Sequence, residues 1–273
     1  MSVNAERGGR EMDKKLKLVS LVASFARCIF FFGVFLFVPS FLTIIFGAFA
    51  KLFDLSEDVT SKLATPIMIA SYAIIILVLS LFFLLLKTNI FKVTKTRITK
   101  VRYLIDGALL GVGLGGIFQG AVMLLSKILP PQLIESQNAH SSAILSGGVV
   151  LAVLYTVFIA PLCEEIVFRG LMITSLEGSM KKIFAVLITG VLFSLVHLPS
   201  VIALGYTLLL GLVLGFVYIK TKSLIPCILM HMAFNASNYL LFIPKNIGLY
   251  ILLIICIPLT VYALIDIMRK VRN

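Results

Sequence analysis

The sequence predicts an all-α, polytopic membrane protein with about eight transmembrane helices, and three observations predict it. Hydrophobic residues make up 60% of the 273-residue chain and charged residues only 13%, far outside the composition of a soluble globular domain. Apolar runs recur at or near the roughly 20 residues that a helix rising about 1.5 Å per residue needs to cross a bilayer. The basic residues gather between those runs, in every second connection.

The first run extends from about Cys28 to Phe49, the second from Pro66 to Leu86, the third from Leu104 to Leu125 and the fourth from about Leu145 to Glu164. Four shorter or more closely spaced runs follow, Ile183 to Leu198, Val201 to Ile219, Leu224 to Ile243 and Ile247 to Ile265. Ala48-Phe49-Ala50 has the small-residue pattern of a signal-peptidase site. The run before it is longer than an h-region, and the long segment preceding that carries Glu6, Glu11 and Asp13, so the first run is read as a retained helix.

The formal charge is +12, and its distribution decides what it means. Lys14, Lys15, Lys17 and Arg27 precede the first run; Lys87, Lys92, Lys95, Arg97, Lys100 and Arg102 separate the second from the third. Lys181 and Lys182 follow the fourth, Lys220 and Lys222 the sixth, and Arg269, Lys270 and Arg272 end the chain. The alternate connections, such as the one holding Asp54, Glu57 and Asp58 or the one holding Glu135, are not basic. By the positive-inside rule both termini are cytoplasmic and the number of spans is even. No basic patch is interleaved with aromatics, so the partner implied is a lipid bilayer and not nucleic acid. The expected location is the cell (plasma) membrane. Cys28, Cys163, Cys227 and Cys256 all lie in apolar segments without a metal-ligand spacing, and are read as small packing hydrophobes.

Along the chain, residues 1–27 form a cytoplasmic N-terminal segment, 28–143 the first three spans with their loops, 144–267 five further helices that carry the chemistry, and 268–273 a cytoplasmic tail. Repeats strong enough to argue an inverted-repeat transporter are lacking. Ile90 to Arg102 is expected as a cytoplasmic loop or interfacial helix, and Pro130 to Ser146 as an outer loop with His140 as a solvated surface residue. Gly107, Gly111 and Gly115, with Gly116 and Gly120 repeating the interval, and Gly211 with Gly215 mark faces where helix backbones approach closely. Gln119, on the same segment, is read as an interhelical hydrogen-bonder.

An ionisable group inside a bilayer costs on the order of 3 kcal/mol even on permissive insertion scales, so each one requires a reason. The fourth segment contains Glu164-Glu165-Ile166-Val167-Phe168-Arg169-Gly170, the fifth ends Phe193-Ser194-Leu195-Val196-His197, and the seventh holds His231-Met232-Ala233-Phe234-Asn235. Successive helical residues point about 100° apart, so Glu164 and Glu165 are expected to have different tasks. Glu165 and Arg169 are four apart and stack as an ion pair that lets the arginine be buried. That leaves Glu164 without a cationic partner, the state a general base or acid working near neutral pH requires. His231 and Asn235, also four apart, offer two hydrogen-bond donors from one helix face to an oxyanion. His197 closes a segment of only about 16 residues, so that hairpin is expected to stop short of the outer surface. Any one of these groups alone is as readily interhelical glue; two His, an unpaired Glu and an Asn together exceed what packing needs.

The order Glu164-Glu165-x-x-x-Arg169, Phe193-x-x-x-His197 and His231-x-x-x-Asn235 resembles the CPBP family, the CAAX proteases and bacteriocin-processing enzymes also called the Abi family. Gly170 and the stretch Gly211 to Pro226, with Tyr218 and Thr221-Lys222-Ser223-Leu224, resemble the family's connecting sequence. The match spans about Ala160 to Asn238; the first three segments and the last resemble nothing beyond being hydrophobic. The resemblance implies an eight-helix intramembrane endopeptidase acting on a membrane-associated peptide or protein. Carried over by position, Glu164 would activate the attacking water with help from His197, His231 and Asn235 would hold the oxyanion, and Glu165 with Arg169 would be structural support. Two His and two Glu hold enough donor atoms to keep zinc open. The HExxH arrangement is absent and zinc would compete with Glu164 for its role as base, which favours no cofactor and no metal.

Three other classes compete. A proton-coupled transporter would use the same buried Glu and His, but the remaining segments offer no continuous polar path. A non-catalytic binder, such as a bacteriocin-immunity protein, would keep the fold and dispense with Glu164. A cysteine peptidase built on Cys163 is disfavoured by the apolar neighbours of that thiol.

Overall fold

The structure is a computed structural model that describes the backbone of residues 2–240 and 245–269, and the side chains of these except residues 2–11, 14, 240 and 245–253. Among the described residues every regular element is helical. The helices are α1 (Ser2–Leu52), α2 (Glu57–Leu85), the single turn α3 (Ile90–Val93), α4 (Val101–Leu125), α5 (Pro131–Leu145), α6 (Val149–Glu177), α7 (Lys182–Leu195), α8 (Val201–Thr221), α9 (Ile225–Leu240) and α10 (Lys245–Arg269). Most of each apolar run lies in one of these helices, although Leu86, residues 196–198 and Leu224 fall outside them and the Leu145 to Glu164 run starts on the last residue of α5; the tail of the Leu224 to Ile243 run and residues 270–273 lie outside the described residues. Within the described residues α2, α4, α6, α8 and the stretch Lys15–Leu52 of α1 are long and apolar enough to cross a membrane. This is a multi-pass integral membrane protein. The 14 residues of α7 reach only about 21 Å, short of a bilayer core.

Local chemistry sets the ends. Ser56 caps α2 by accepting from the Val59 N–H, and Glu57 and Asp58 favour the positive end of the helix. Ser200 caps α8 in the same way, from Ala203. That helix stops at Lys222, whose left-handed backbone (φ 52°) turns its N–H back to the Tyr218 carbonyl.

The glycines of α4 seat two neighbours. A Cβ on Gly107, Gly111 or Gly115 would strike the backbone or side chains of α9 at Pro226, Met230 and Ser237, and one on Gly113 would strike Thr260 of α10. Gln119 extends the same seam, donating to the Ser237 carbonyl and the Asn238 side chain, both at 3.0 Å. Across the hairpin α7–α8, Gly211 lies against Phe193 and Gly190, and Gly215 against Val186. Small residues therefore bring three helix pairs together, as close packing in lipid requires. Aromatic contacts finish the core: Phe35 of α1 meets Phe168 of α6 edge-on at 5.1 Å, and Phe168 meets Phe193 of α7 at 5.2 Å. The outer surface is apolar in turn, with Leu77, Leu81, Leu84 and Leu85 exposed along α2.

Two expectations are corrected. Pro131 to Leu145 is a helix and not a loop, with proline at its first turn. His140 on that helix is half-buried rather than solvated, and burial pushes its imidazole pKa below 6.5. The third apolar run also contains a carboxylate that hydropathy passes over, Asp106, which is buried in the first turns of α4.

Candidate active site

Helix α6 is not a uniform α-helix. Its turns run α over Val149–Val153, π over Leu154–Ile159, α over Ala160–Glu165, π over Ile166–Ile173 and α again over Thr174–Glu177. π-turns are rare and concentrate at functional sites because each one re-aims the side chains around it. Here two of them bracket the single α segment that ends in Glu164-Glu165.

The first π-turn explains Asn235. The Ala160 N–H bonds to the Tyr155 carbonyl, five residues back, so the same register would assign the Thr156 carbonyl to residue 161. That residue is Pro161, which has no N–H. Asn235 of α9 supplies the missing donor, its side-chain nitrogen lying 2.7 Å from the Thr156 carbonyl. One amide N–H of Asn235 is thereby committed to clamping α9 onto α6, and its second is left for other work.

The two glutamates diverge and then meet on one imidazole. Glu165 Oε1 accepts from Arg169 at 2.9 Å and from Nδ1 of His231 at 2.9 Å. A carboxylate only accepts, so Nδ1 carries the proton and Nε2 is turned away from Glu165. Nε2 faces Oε2 of Glu164 at 3.8 Å, too long for a direct hydrogen bond. The other Glu164 oxygen, Oε1, accepts from the Tyr72 hydroxyl of α2 at 3.0 Å. Glu164, Glu165, Arg169 and His231 are all buried. Oε2 of Glu165 makes no hydrogen bond within the protein, alone among the buried side-chain polar atoms of the described residues.

The charge on Arg169 is well accommodated. Besides Glu165, the guanidinium donates to the Gly211 carbonyl at 3.1 Å and stacks over the Phe193 ring at 4.4 Å. The ring of Phe193 also meets His231 edge-on at 5.7 Å and His197 at 5.1 Å, so one phenylalanine touches three of the candidate side chains. His197 is held by its own helix, Nδ1 donating to the Phe193 carbonyl at 2.9 Å. In the neutral ring this leaves Nε2 as an acceptor. His197 lies within electrostatic reach of Glu164, His231 and His140.

All six sequence-selected residues, Glu164, Glu165, Arg169, His197, His231 and Asn235, therefore belong to one region where α6, α7 and α9 meet. Two details differ from expectation. Glu164 is not without a partner, because Tyr72 binds it; and His231 is tied directly to Glu165, so the Glu165–Arg169 pair reaches the imidazole. Sequence reasoning missed Tyr72, and its signal was Ser71-Tyr72 in the middle of an otherwise apolar run. Tyr155 belongs to the same wall, its ring edge-on to Tyr72 at 5.5 Å.

Among the described residues no group of three or more His, Cys, Asp or Glu side chains is arranged to hold a metal ion. Glu165 Oε1 and His231 Nδ1 are spent on each other and on Arg169, which leaves Glu164, the Nε2 atoms of His231 and His197, and Oε2 of Glu165. The four cysteines are free and buried, Cys163 among them.

Comparison with known proteins agrees with this region. Residues 146–237 match the family model described as Type II CAAX prenyl endopeptidase Rce1-like. The chain is 31% identical over 101 residues to YdiL of Bacillus subtilis (strain 168), a protein named in the membrane-peptidase class, covering 37% of this chain and 41% of that one. It is 29% identical over 141 residues to MroQ of Staphylococcus aureus (strain USA300), named a membrane-embedded CAAX protease, covering 49% of this chain and 56% of that one. The matched regions thus span about half the length of these relatives. No solved structure matches significantly.

Proposed function

We propose, from the match of residues 146–237 to the type II CAAX prenyl endopeptidase family model, that the chain is an intramembrane endopeptidase of the CAAX-protease-like (CPBP) type in the cell membrane, which hydrolyses a peptide bond with a glutamate-activated water. One observation carries the reading: a buried carboxylate, Glu164, faces the free nitrogen of an imidazole whose other nitrogen is fixed by a second carboxylate, Glu165. A base or electrophile oriented by a third group is the arrangement of acyl-transfer sites.

In this reading the water lies against Oε2 of Glu164 and attacks the scissile carbonyl carbon while Glu164 takes its proton. The Tyr72 hydroxyl holds Oε1 so that Oε2 presents its lone pairs to the water. The new C–O bond places negative charge on the carbonyl oxygen. Nε2 of His231, when protonated, and the second amide N–H of Asn235 donate to that oxygen. Glu164 then returns its proton to the departing amine, the C–N bond breaks, and the products are a new carboxylate and a new amine. His197, with Nε2 open as an acceptor, assists the first proton transfer. Glu165 and Arg169 do not touch the substrate; they orient His231. No step of this reading is routed through a metal.

The substrate is a membrane-associated peptide or protein. The test is incubation of the purified chain in detergent with a library of membrane-associated peptides, read by mass spectrometry, with a strong zinc chelator in a parallel arm. Paired fragments whose masses sum to the substrate plus one water, formed equally with and without chelator, are expected. Intact peptides under all conditions would refute the peptidase reading, and cleavage lost to chelator and restored by zinc would refute its metal-free form.

A further inference from the structure

At the basic end of the bundle, where α6 ends at Glu177, a cavity of about 510 Å³ opens between α3 with the segment following it, the end of α6, the start of α7 and the end of α8. Its wall contains the cationic side chains of Lys92, Lys95, Arg97, Lys182 and Lys222 against one carboxylate, Glu177. Glu177 is shared between Lys95 and, at 4.0 Å, Lys182. Lys92, Arg97 and Lys222 have no carboxylate partner among the described residues.

Converging cations repel, yet this wall is built with some care. Lys95 and Lys222 both adopt the left-handed backbone (φ 55° and 52°) that side chains other than glycine seldom take. The two segments are stapled to each other: Arg97 Nε donates to the Lys222 carbonyl at 3.1 Å, the Ser223 hydroxyl to the Arg97 carbonyl at 2.7 Å, and the Leu224 N–H to the Lys95 carbonyl at 3.2 Å. Tyr218 forms the back wall. Its hydroxyl bonds Thr174 at 2.8 Å and donates to the Thr94 carbonyl at 3.3 Å, and the Lys95 ammonium sits over its ring at 5.4 Å. The rim has an apolar side formed by Phe91, which is 60% exposed, and Ile219.

We propose that this cavity binds the phosphate of an anionic ligand, and that its source is the headgroup of an anionic phospholipid lying at the membrane surface with its chains along Phe91 and Ile219. The volume falls in the range of small-molecule sites, roughly 300–1,000 Å³. Basic pockets between membrane helices are suited to phosphate headgroups, because the net positive field and the interfacial position act together. Arg97, fixed by its carbonyl contact, offers a planar fork for phosphate oxygens, and the lysines add point charges. A soluble phosphate would meet the same cations but gain nothing from the apolar side of the rim. The inference does not depend on the peptidase reading.

The test uses the full chain purified in mild detergent and titrated with short-chain phosphatidylglycerol, short-chain phosphatidylcholine or inorganic phosphate. Native mass spectrometry reads retained lipid, and the thermal midpoint reads stabilisation through binding. Lys92→Gln, which disturbs no hydrogen bond of its side chain, is compared with Lys92→Gln/Lys222→Asn, in which asparagine tolerates the left-handed backbone. Phosphatidylglycerol is expected to be retained and to raise the midpoint where phosphatidylcholine does not, with affinity falling about fivefold for each lysine removed. Inorganic phosphate displacing the lipid headgroup at similar concentration would support the phosphate chemistry and overturn the lipid as its source. Equal retention of both lipids, or affinity unchanged in the Lys92→Gln variant, would overturn the site.

Discussion

Nδ1 of His231 donates to Oε1 of Glu165 across 2.9 Å, and the same oxygen accepts from Arg169 at 2.9 Å. A helix-internal ion pair of α6 is thereby wired into an imidazole on α9. Breaking it from one side strands a buried charge, whereas removing both partners does not.

Arg169→Met is therefore expected to destabilise the protein by about 3–5 kcal/mol, and Arg169→Met with Glu165→Gln by less than that. Denaturation of both variants in detergent measures the difference. Equal losses in the two would mean that packing against Phe193, and not charge, is what Arg169 supplies.

Tyr72→Phe keeps the ring contacts to Phe35 and Tyr155, at 5.5 Å each, and deletes only the hydroxyl that binds Glu164. A hydrogen bond to a charged group contributes about 1.5–3 kcal/mol to stability, so the thermal midpoint should fall by a corresponding amount, and cleavage by the folded variant should slow at least about tenfold. Steady-state rates on any cleaved peptide from the library decide it; wild-type rates would remove Tyr72 from the site.

The Asn235 clamp gives a prediction that separates structure from chemistry. Asn235→Ala leaves the Thr156 carbonyl without a donor, at a cost of about 1 kcal/mol for a half-buried group. Pro161→Ala restores an N–H at the position that the π register assigns to that carbonyl. In the Pro161→Ala background, Asn235→Ala should therefore cost measurably less stability. If its effect is the same in both backgrounds, the missing proline N–H is not the reason that Asn235 binds there.

His140 predicts a pH dependence. Burial holds its folded-state pKa below 6.5, so the unfolded chain binds the proton more readily. Stability conferred by the neutral ring is full above about pH 6.5 and is lost as pH falls through that value towards the folded pKa. Thermal midpoints of wild type and His140→Gln measured across this range should converge as the pH drops. A constant gap would show that the ring titrates normally.

Much of this was legible in the sequence because it is local or periodic. The Glu165–Arg169 pair follows from a spacing of four, and the α4 seam from glycines at 107, 111 and 115 that later meet Pro226, Met230 and Ser237. What escaped is tertiary or breaks the period. Tyr72 reaches Glu164 across 92 positions, and no helical spacing announces that contact. The π-turns displace α6 from regular geometry, so the donor for Thr156 lies on another helix, although Pro161 five residues on was a sign that one was needed. The helix over Pro131–Leu145 was too polar for a hydropathy reading; Gln137 on it accepts from Ser200 at 2.6 Å and fastens it to the α7–α8 hairpin.

The central claim is that Glu164 activates the attacking water, and the most direct measurement is the cleavage rate of Glu164→Gln against wild type on the same peptide. Glutamine preserves shape and can still accept from Tyr72, but it cannot take a proton. Removal of the general base predicts a loss of at least about a hundredfold with an unchanged thermal midpoint. Cleavage at the wild-type rate by a folded Glu164→Gln protein would contradict the account.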